Sequence, residues 1–282
     1  MVLMNYDITV VIPCYNCEKT ITYTCESILN QTVLPKKIIL INDGSTDNTI
    51  NIINKIATRN KDIIEIIDKK NEGVSSSRNV GINLAETSWI AFCDADDYWM
   101  KNKIETVYNA ITQNKNVEFI SHAYFINKEG NSLVKKNIEK NAFLDTYKEN
   151  FIQTSTVVAK KELLEKVGLF DTTLAVAEDF DLWLKCTAIC SFIYIPVGLS
   201  IYTISDKEVS LSSNEMRMYM CTLIVLNRHY ENLCKFMGKK DAKKFMYKRI
   251  IKLIFAEMYY QLKRFELKNT IKSFLYGLKI LK

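Results

Sequence analysis

Residues 8–13 read ITVVIP, a run of mostly β-branched side chains without a charged position. Three further mostly apolar runs follow at residues 37–41 (KIILI), 63–67 (IIEII) and 89–93 (WIAFC). Continuous rather than alternating apolarity indicates strands that are covered on both faces, as in a parallel sheet. The four runs therefore predict a buried, mostly parallel sheet.

Helical patterns separate these runs. Residues 18–29, 46–57 and 75–85 place apolar side chains at helical spacing, and each segment follows a predicted strand after a short polar turn. The order β-α-β-α-β-α-β predicts an α/β fold with a mostly parallel central sheet flanked by helices. Residues 133–158 match no clear pattern. The later predicted elements are helices at 101–113 and 177–189, a short helix that starts in the segment 160–171 and ends at Gly168, and strands at 117–127 and 191–204.

Charge divides the chain into two parts. Residues 1–216 carry 22 Lys and Arg against 28 Asp and Glu, whereas residues 217–282 carry 16 against 4. We expect one large domain over residues 1–213, followed by a basic C-terminal region of two or three helices over residues 214–282.

The eight cysteines are scattered through apolar stretches. Cys14-x-x-Cys17 and Cys186-x-x-x-Cys190 could be taken for a zinc or redox site, but no histidine stands near either pair, which favours buried small hydrophobic residues. The N-terminus lacks the basic segment of a signal peptide, so we expect a reducing cytoplasm. No apolar run approaches the ~20 residues of a membrane-spanning helix.

The predicted strands end in polar residues. In parallel sheets, ligands bind beyond the carboxyl ends of the strands. Tyr15 and Asn16, after the first strand and Pro13, offer a ring and an amide to a planar ligand. Asp43, after the second strand, can accept from a base N–H or a ribose hydroxyl, and the alternative is a turn that caps the following helix.

Two further strand ends carry charge. Arg78 lies one turn into a predicted helix and can reach an anion, although an arginine on a helix is usually a solvated charge. Asp94 and Asp96 are two residues apart and should face the same side of the strand, with Asp97 turning away into the loop. Crowded carboxylates recruit a cation or raise a pKa, and Mg²⁺ and Mn²⁺ prefer oxygen ligands. A helix cap would explain one of these aspartates but not three.

Four motifs stand in the order and spacing of family 2 glycosyltransferases with the GT-A fold, and the chain resembles that family over about residues 7–110 and again near residues 178–181. The motifs are Pro13-Cys14-Tyr15-Asn16, Asn42-Asp43-Gly44-Ser45, Asn71-Glu72-Gly73 through Arg78-Asn79, and Asp94-Ala95-Asp96-Asp97.

The resemblance implies an inverting enzyme with a nucleotide-sugar donor, most often a UDP-sugar. It implies a nucleotide-binding half over residues 1–110 and an acceptor half over residues 111–213. Asp96, and Asp97 less firmly, would hold Mn²⁺ or Mg²⁺, and Asp179 would be the catalytic base, with Glu178 and Asp181 near the acceptor. The donor-binding residues would be Pro13, Tyr15, Asn16, Asp43, Arg78, Asp94 and Ala95.

The chain departs from the family pattern after its last predicted strand. Thr203 and Ser205 stand where family members often carry Arg and His. The remaining protein ligand of the metal is therefore not identified by the resemblance.

The basic region suggests a membrane partner. Residues 235–282 mix lysines with Phe, Met, Tyr and Ile, as in segments that lie on anionic membranes. The alternative is a helical cap with solvated charges, and no nucleic-acid recognition fold accompanies the charge. With the glycan or lipid-linked acceptors of the resembled family, we expect a cytoplasmic protein, peripheral on the cytoplasmic face of the inner membrane.

Two other functions compete with sugar transfer. A non-catalytic nucleotide-sugar-binding scaffold would bind UDP but be indifferent to Asp179. A phosphoryl or nucleotidyl transferase would need a nucleophile or a further lysine beside Asp94, Asp96 and Asp97, and the segment DADDYW supplies neither.

Overall fold

The structure is a computed structural model that describes residues 6–127, 132–138, 141–204, 215–263 and 267–281. The strands are β1 (Tyr6–Cys14), β2 (Pro35–Asp43), β3 (Ile64–Lys69), β4 (Trp89–Phe92), β5 (Tyr98–Trp99), β6 (Phe119–Asn127), β7 (Ser132–Val134), β8 (Val158–Lys160) and β9 (Phe192–Thr203). The helices are α1 (Ile21–Leu29), α2 (Thr49–Arg59), α3 (Val74–Leu84), α4 (Lys103–Gln113), α5 (Ala142–Lys148), α6 (Lys161–Lys166), α7 (Glu178–Thr187), α8 (Glu215–Arg228), α9 (Tyr230–Met237), α10 (Lys239–Lys263) and α11 (Leu267–Leu281).

The chain packs as two units. The first unit comprises Met1–Glu139, Phe151–Thr172 and Ile189–Ser205, and the second comprises Lys140–Asn150, Thr173–Ala188 and Asp206–Lys282. In the second unit, α5 and α7 bury apolar side chains such as Phe143 and Phe180 together with those of the C-terminal helices. The domain boundary at residue 213 stays a prediction. The functional halves proposed from the resemblance remain a prediction.

The first unit is built on one mixed sheet. Its strand order is β3-β2-β1-β4-β8-β6-β9-β5, with β7 paired to β6. The strands β1 to β4 pair in parallel, as the four apolar runs predict. Beyond β4 the sheet changes, because β8 is antiparallel to both β4 and β6, while β9 is parallel to β6. The carboxyl ends of β1, β2 and β4 thus lie at one edge.

The segment that matched no pattern consists of very short elements. β7 and β8 have three residues each, and a 3-10 turn over Thr154–Thr156 precedes β8. Three residues are too few to show a hydrophobic period. Their conformation is set by the strands that they pair with.

Gly81 allows α3 to approach the sheet closely. A Cβ atom at this position would lie 2.4 Å from Val11 Cγ1 and 3.1 Å from Ile41 Cδ1. Both neighbours are buried in the middle of β1 and β2. The glycine therefore fixes the distance between the sheet and the helix that carries Arg78.

We predict that Gly81→Ala destabilises the protein by about 1–3 kcal/mol, because the added methyl group overpacks a close helix–strand contact. Urea unfolding followed by circular dichroism measures the change. Asn83→Ala, at an exposed position of the same helix, is the matched control and should stay within about 0.5 kcal/mol of the wild type. Equal stability of the two variants would contradict the proposed close contact.

The second unit is helical in its described part. Its core includes Tyr147, Phe180, Leu226 and Ile250, and Tyr147 donates a hydrogen bond to the Leu226 carbonyl at 2.8 Å. The basic region forms four helices, α8 to α11, rather than the two or three expected. Among the residues that the structure describes, no helix is both long and apolar enough to cross a membrane.

Candidate active site at the carboxyl edge of the sheet

The loops after β1 and β2 hold each other in place. The Asn16 backbone N–H donates to Ser45 Oγ at 3.1 Å, and Asn16 Oδ1 accepts from the Thr46 N–H at 2.8 Å. Asn16 has a positive φ of 49°, which asparagine tolerates better than most residues. Its amide oxygen was predicted to face a ligand and instead braces the neighbouring loop. Tyr15 is 52% exposed, so its ring is available to a ligand.

Asp43 ties β2 to the loop after β3. Its Oδ1 accepts from Lys69 Nζ at 2.6 Å and from the Glu72 N–H at 3.0 Å, and its Oδ2 accepts from the Gly73 N–H at 2.9 Å. The carboxylate is buried. It holds the entrance of α3 through the backbone N–H groups of Glu72 and Gly73.

Arg78 and Asp94 meet at this edge of the sheet. Arg78 Nη2 lies 2.8 Å from Asp94 Oδ1, and the guanidinium lies 5.2 Å from the centre of the Phe170 ring. The Asp94 N–H donates to Ser155 Oγ at 2.9 Å. The arginine side chain is almost wholly buried, whereas that of Asp94 is 28% exposed. Arg78 is therefore a buried, paired charge and not a solvated surface charge.

The three aspartates lie in a turn and not on a strand. β4 ends at Phe92, and the Asp97 N–H donates to the Asp94 carbonyl at 3.1 Å. Thr24 Oγ1 donates to the Ala95 carbonyl at 2.9 Å, which fixes the turn against α1. The expected strand alternation of Asp94 and Asp96 is therefore wrong, because the pairing of β4 stops before them.

Asp96 is the exposed carboxylate of this turn. It makes no side-chain hydrogen bond and no ion pair with another described residue. Loss of water around the carboxyl group and the nearby charge of Asp94 raise the pKa of Asp96 to about 6. A cation next to this group would favour its charged form.

Asp97 points inward, contrary to the prediction that it turns away into the loop. It is fully buried, its Oδ2 accepts from Gln153 Nε2 at 2.7 Å, and its Oδ1 accepts from the Thr203 N–H at 3.0 Å. Burial and the charge of Asp94 raise the pKa of Asp97. A buried carboxyl group with both oxygens engaged argues against a metal ligand.

The buried Lys103 supports the same turn through Ser155. Lys103 Nζ donates to the Ser155 carbonyl at 2.6 Å and lies 3.7 Å from the centre of the Trp99 ring. Burial lowers the pKa of Lys103 to about 7. Sequence reasoning missed this residue. Its spacing of four residues from Val107 on the buried face of α4 is the signal that could have found it.

In the second unit, Glu178 and Asp179 begin α7. Glu178 is buried and Asp179 is half-buried, and Asp179 Oδ1 accepts from the Phe180 N–H at 2.6 Å. Ala177, just before them, has a φ of 63°, a left-handed conformation that costs a non-glycine residue about 1 kcal/mol or more. Such strain is frequently found at functional sites, which agrees with the predicted role of Asp179 without testing it.

Asp181 was predicted near the acceptor but is fully buried among cations of its own unit. Its Oδ1 lies 3.1 Å from both His229 Nε2 and Arg228 Nη1, and its Oδ2 lies 2.7 Å from Lys185 Nζ. Burial alone would raise the pKa of Asp181, but the hydrogen bonds from His229 and Lys185 outweigh burial and lower it to about 2. Asp181 therefore joins α7 to the junction of α8 and α9.

Residues 9–168 match the model of the family described as Glycosyl transferase family 2. The chain belongs to this family. It is 34% identical over 244 residues to the UDP-Glc:alpha-D-GlcNAc-diphosphoundecaprenol beta-1,3-glucosyltransferase WfaP of Escherichia coli, over 81% of this chain and 91% of that protein.

Solved structures show the same fold. The crystal structure of S. aureus TarS 1-349 superposes with a TM-score of 0.65 at 16% identity and covers 98% of this chain and 92% of its own. The same TarS segment has also been solved in complex with UDP-GlcNAc. The mannosyltransferase PcManGT from Pyrobaculum calidifontis, in complex with GDP-Man and Mn²⁺, has a TM-score of 0.62 at 15% identity and covers 98% and 86% of the two chains. The protein is a family 2 glycosyltransferase with the GT-A fold, as the sequence motifs predicted.

The carboxylates, histidines and cysteines of the described residues form no metal-binding cluster. Among the described residues, no group of three or more His, Cys, Asp and Glu is placed to bind an ion, and all eight cysteines are free. Within the described part of the chain, the Asp96 carboxylate has no hydrogen-bond or ion-pair partner. The buried Thr203 Oγ1 likewise makes no hydrogen bond there. One free carboxylate fits an ion that takes its other ligands from phosphates and water. Ser205 lies outside the described residues.

Proposed function

We propose that this glycosyltransferase moves a sugar from a nucleoside-diphosphate donor, of the UDP class, to a hydroxyl group of a glycan or lipid-linked acceptor, with inversion at the anomeric carbon. One observation carries the proposal. The Arg78–Asp94 ion pair and the partnerless Asp96 lie together beyond β4, at the carboxyl edge of the parallel strands, within the segment that matches the family.

The donor site is proposed at the ends of β1, β2 and β4. The exposed Tyr15 ring, next to Pro13 at the end of β1, can stack on a base. Arg78 is paired with Asp94 at the turn after β4, where it can supply a positive charge to the diphosphate of the donor. Asp43 and Asn16 act by holding the surrounding loops. The relatives whose names or structures include UDP-sugars support this donor class.

Asp96 is the proposed metal ligand, and Mn²⁺ or Mg²⁺ is the proposed ion. When bound, the ion would stabilise the negative charge that develops on the leaving diphosphate. Asp97 and Lys103 then have a structural role, because they keep the turn that carries Asp96 in one conformation. Asp97 accepts hydrogen bonds from Gln153 and Thr203, and Lys103 donates one to Ser155.

Asp179 is the proposed general base. Its carboxylate accepts the proton of the acceptor hydroxyl while that oxygen forms a bond to the anomeric carbon. The bond from the anomeric carbon to the diphosphate oxygen breaks on the opposite face, and its electron pair leaves with the diphosphate. Attack opposite to departure inverts the configuration. Glu178 remains a proposed neighbour of the acceptor, and Asp181 is not part of this proposal.

The acceptor class also suggests where the reaction takes place. A lipid-linked acceptor stands at a membrane surface, and we place the chain there as a peripheral protein on the cytoplasmic face. The WfaP relative, whose name includes a diphosphoundecaprenol acceptor, supports this location.

We expect Asp96→Asn to remove the effect of Mn²⁺ on UDP binding. In the wild type, calorimetry should show much tighter UDP binding with Mn²⁺ than without it. In the variant, affinity in Mn²⁺ should fall by about 100-fold, since even the outer partners of metal ligands contribute 10- to 100-fold. Asp62→Asn, another exposed aspartate, is the control and should bind like the wild type.

Two results would count against the proposal. Full Mn²⁺ dependence in Asp96→Asn would refute the assigned ligand. Tight UDP binding by the wild type without any release of sugar from a UDP-sugar, with or without acceptor, would favour a non-catalytic scaffold.

A further inference from the structure

α10 carries one line of exposed side chains along its outer face. Its members follow one another at intervals of four, four, three, four and four residues, which keeps them on one side of a helix. We call the set the α10 stripe: Lys240, Lys244, Lys248, Ile251, Phe255 and Tyr259, all exposed.

The orientation of the α10 stripe is fixed by the opposite face of the helix. Ala242, Met246, Ile250 and Ile254 are buried in the core of the second unit. The helix cannot rotate without taking these side chains out of the core. The stripe therefore faces outward as a constant feature of this unit.

The first half of the stripe is positively charged, with Asp241 as the acidic residue beside it. Lys240, Lys244 and Lys248 form no ion pair with any described residue. Together with Lys243, Tyr247 and Ile251 they line a shallow groove on the helix surface. Residues 217–282 carry 16 basic against 4 acidic residues, so no nearby excess of negative charge balances the groove. Such a surface attracts phosphate groups.

The second half of the stripe is apolar. Phe255 is 67% exposed, Tyr259 63% and Ile251 43%. The neighbouring helix α11, which packs against Ile254 at Gly277, also exposes Ile271 and Leu275. Large apolar side chains at successive turns of a helix gain free energy when they leave water.

We propose that the α10 stripe is the docking surface for an anionic lipid bilayer, with α10 lying in the plane of the interface. The three lysines contact lipid phosphates, and Ile251, Phe255 and Tyr259 enter the boundary of the acyl chains. The 25 residues of the helix span about 37 Å along that plane. This inference deepens the proposed membrane location, and the binding itself does not depend on the proposed reaction.

Other partners fit only half of the stripe. A nucleic acid would neutralise the lysines but leave Phe255 and Tyr259 in water. A second copy of the chain would place the lysines against lysines in a parallel packing, or against apolar side chains that offer them no partner in an antiparallel packing, and both are unfavourable. A bilayer offers both an anionic layer and an apolar phase at adjacent depths.

The test is cosedimentation of the full chain with vesicles, in the absence of donor and acceptor. We expect binding to vesicles that contain phosphatidylglycerol and little binding to phosphatidylcholine alone. Lys240→Glu/Lys244→Glu/Lys248→Glu should weaken this binding by about 100-fold or more, and Phe255→Ser/Tyr259→Ser by about tenfold or more.

A charge-matched control distinguishes an effect of the stripe lysines from an effect of the net charge of the protein. Lys55→Glu/Lys61→Glu/Lys115→Glu changes exposed lysines of the first unit by the same total charge and should leave vesicle binding within about threefold of the wild type. Circular dichroism verifies that all variants are folded.

Several results would overturn the docking proposal. One is an equal loss of vesicle binding in the two triple lysine variants, and another is wild-type binding to neutral vesicles that is as tight as binding to anionic vesicles. A third is tighter binding of the wild type to single-stranded DNA than to anionic vesicles. The last is a wild-type dimer that dissociates in the stripe variants. Sugar transfer to a short, water-soluble acceptor is measured separately. If that transfer fails while vesicle binding holds, the proposed reaction is wrong and the docking surface stands.

Discussion

Asp179→Asn should abolish most sugar transfer while leaving UDP binding unchanged. Asparagine has the size of aspartate and can keep the hydrogen bond from the Phe180 N–H, but its amide cannot take the proton of an acceptor hydroxyl. General-base catalysis contributes about 10²- to 10⁴-fold to a rate. We therefore expect kcat for transfer to fall by about 10³-fold, with UDP affinity in calorimetry within about twofold of the wild type.

Asp241→Asn is the matched control for this variant. Asp241 lies in the first turn of α10, as Asp179 lies in the first turn of α7, and it is exposed. Both substitutions remove a carboxylate that interacts with a helix N-terminus, worth about 0.3–1 kcal/mol of stability. If Asp179→Asn lowers sugar transfer but not UDP binding, and Asp241→Asn lowers neither, the loss comes from the chemical step. Parallel loss of UDP binding and transfer would instead show that Asp179 acts by supporting the donor site.

The parallel half of the sheet is predictable from the sequence because β1, β2 and β4 are buried on both faces over most of their length. Apart from Thr9, residues 8–13 and 89–93 are apolar, and turn residues bound both runs. Strand β8 gives no such signal, since its three residues are placed by pairing with β4 and β6 on either side. The mixed half of the sheet is therefore a consequence of tertiary contacts.

The candidate site shows the same limit at the level of single residues. Arg78 and Asp94 could be brought together from the sequence, because both follow parallel strands and such strands end at one edge. The direction of Asp97 could not, because it depends on Gln153 and on the Thr203 N–H, which lie 56 and 106 residues away along the chain. Motif spacing identifies the turn, and distant partners decide which aspartate is left free.

Asp181 illustrates a second reason for a wrong assignment. It stands in the motif Glu178-Asp179-Phe180-Asp181, where proximity to Asp179 in sequence suggested proximity in function. In a helix, residues two apart point in different directions. Asp179 is half-buried, while Asp181 faces the core of the second unit and meets His229. Helical geometry therefore separates the roles of the two carboxylates.

Asp181→Ala should destabilise the second unit by about 3 kcal/mol, because removal of the carboxylate leaves the buried His229 ring without its hydrogen-bond partner and two cations without theirs. His229 is almost fully buried and cannot turn to solvent, whereas Lys185 and Arg228 are 25% and 37% exposed and can recover part of their hydration. Urea unfolding followed by circular dichroism at neutral pH measures the loss. Glu231→Ala, an exposed acid in the first turn of α9, is the control and should change stability by less than about 1 kcal/mol.

The pH dependence of this variant provides an independent check. The pKa of Asp181 is lowered in the folded protein from 3.8 to about 2, so the folded state binds its proton less readily than the unfolded chain. The stabilising contribution is therefore complete above pH 4 and is lost as the pH falls towards 2. The stability difference between the wild type and Asp181→Ala should shrink over that interval. A difference that stays the same down to pH 2 would mean that Asp181 acts by packing alone, since a neutral side chain would then hold α7 on the junction of α8 and α9 equally well.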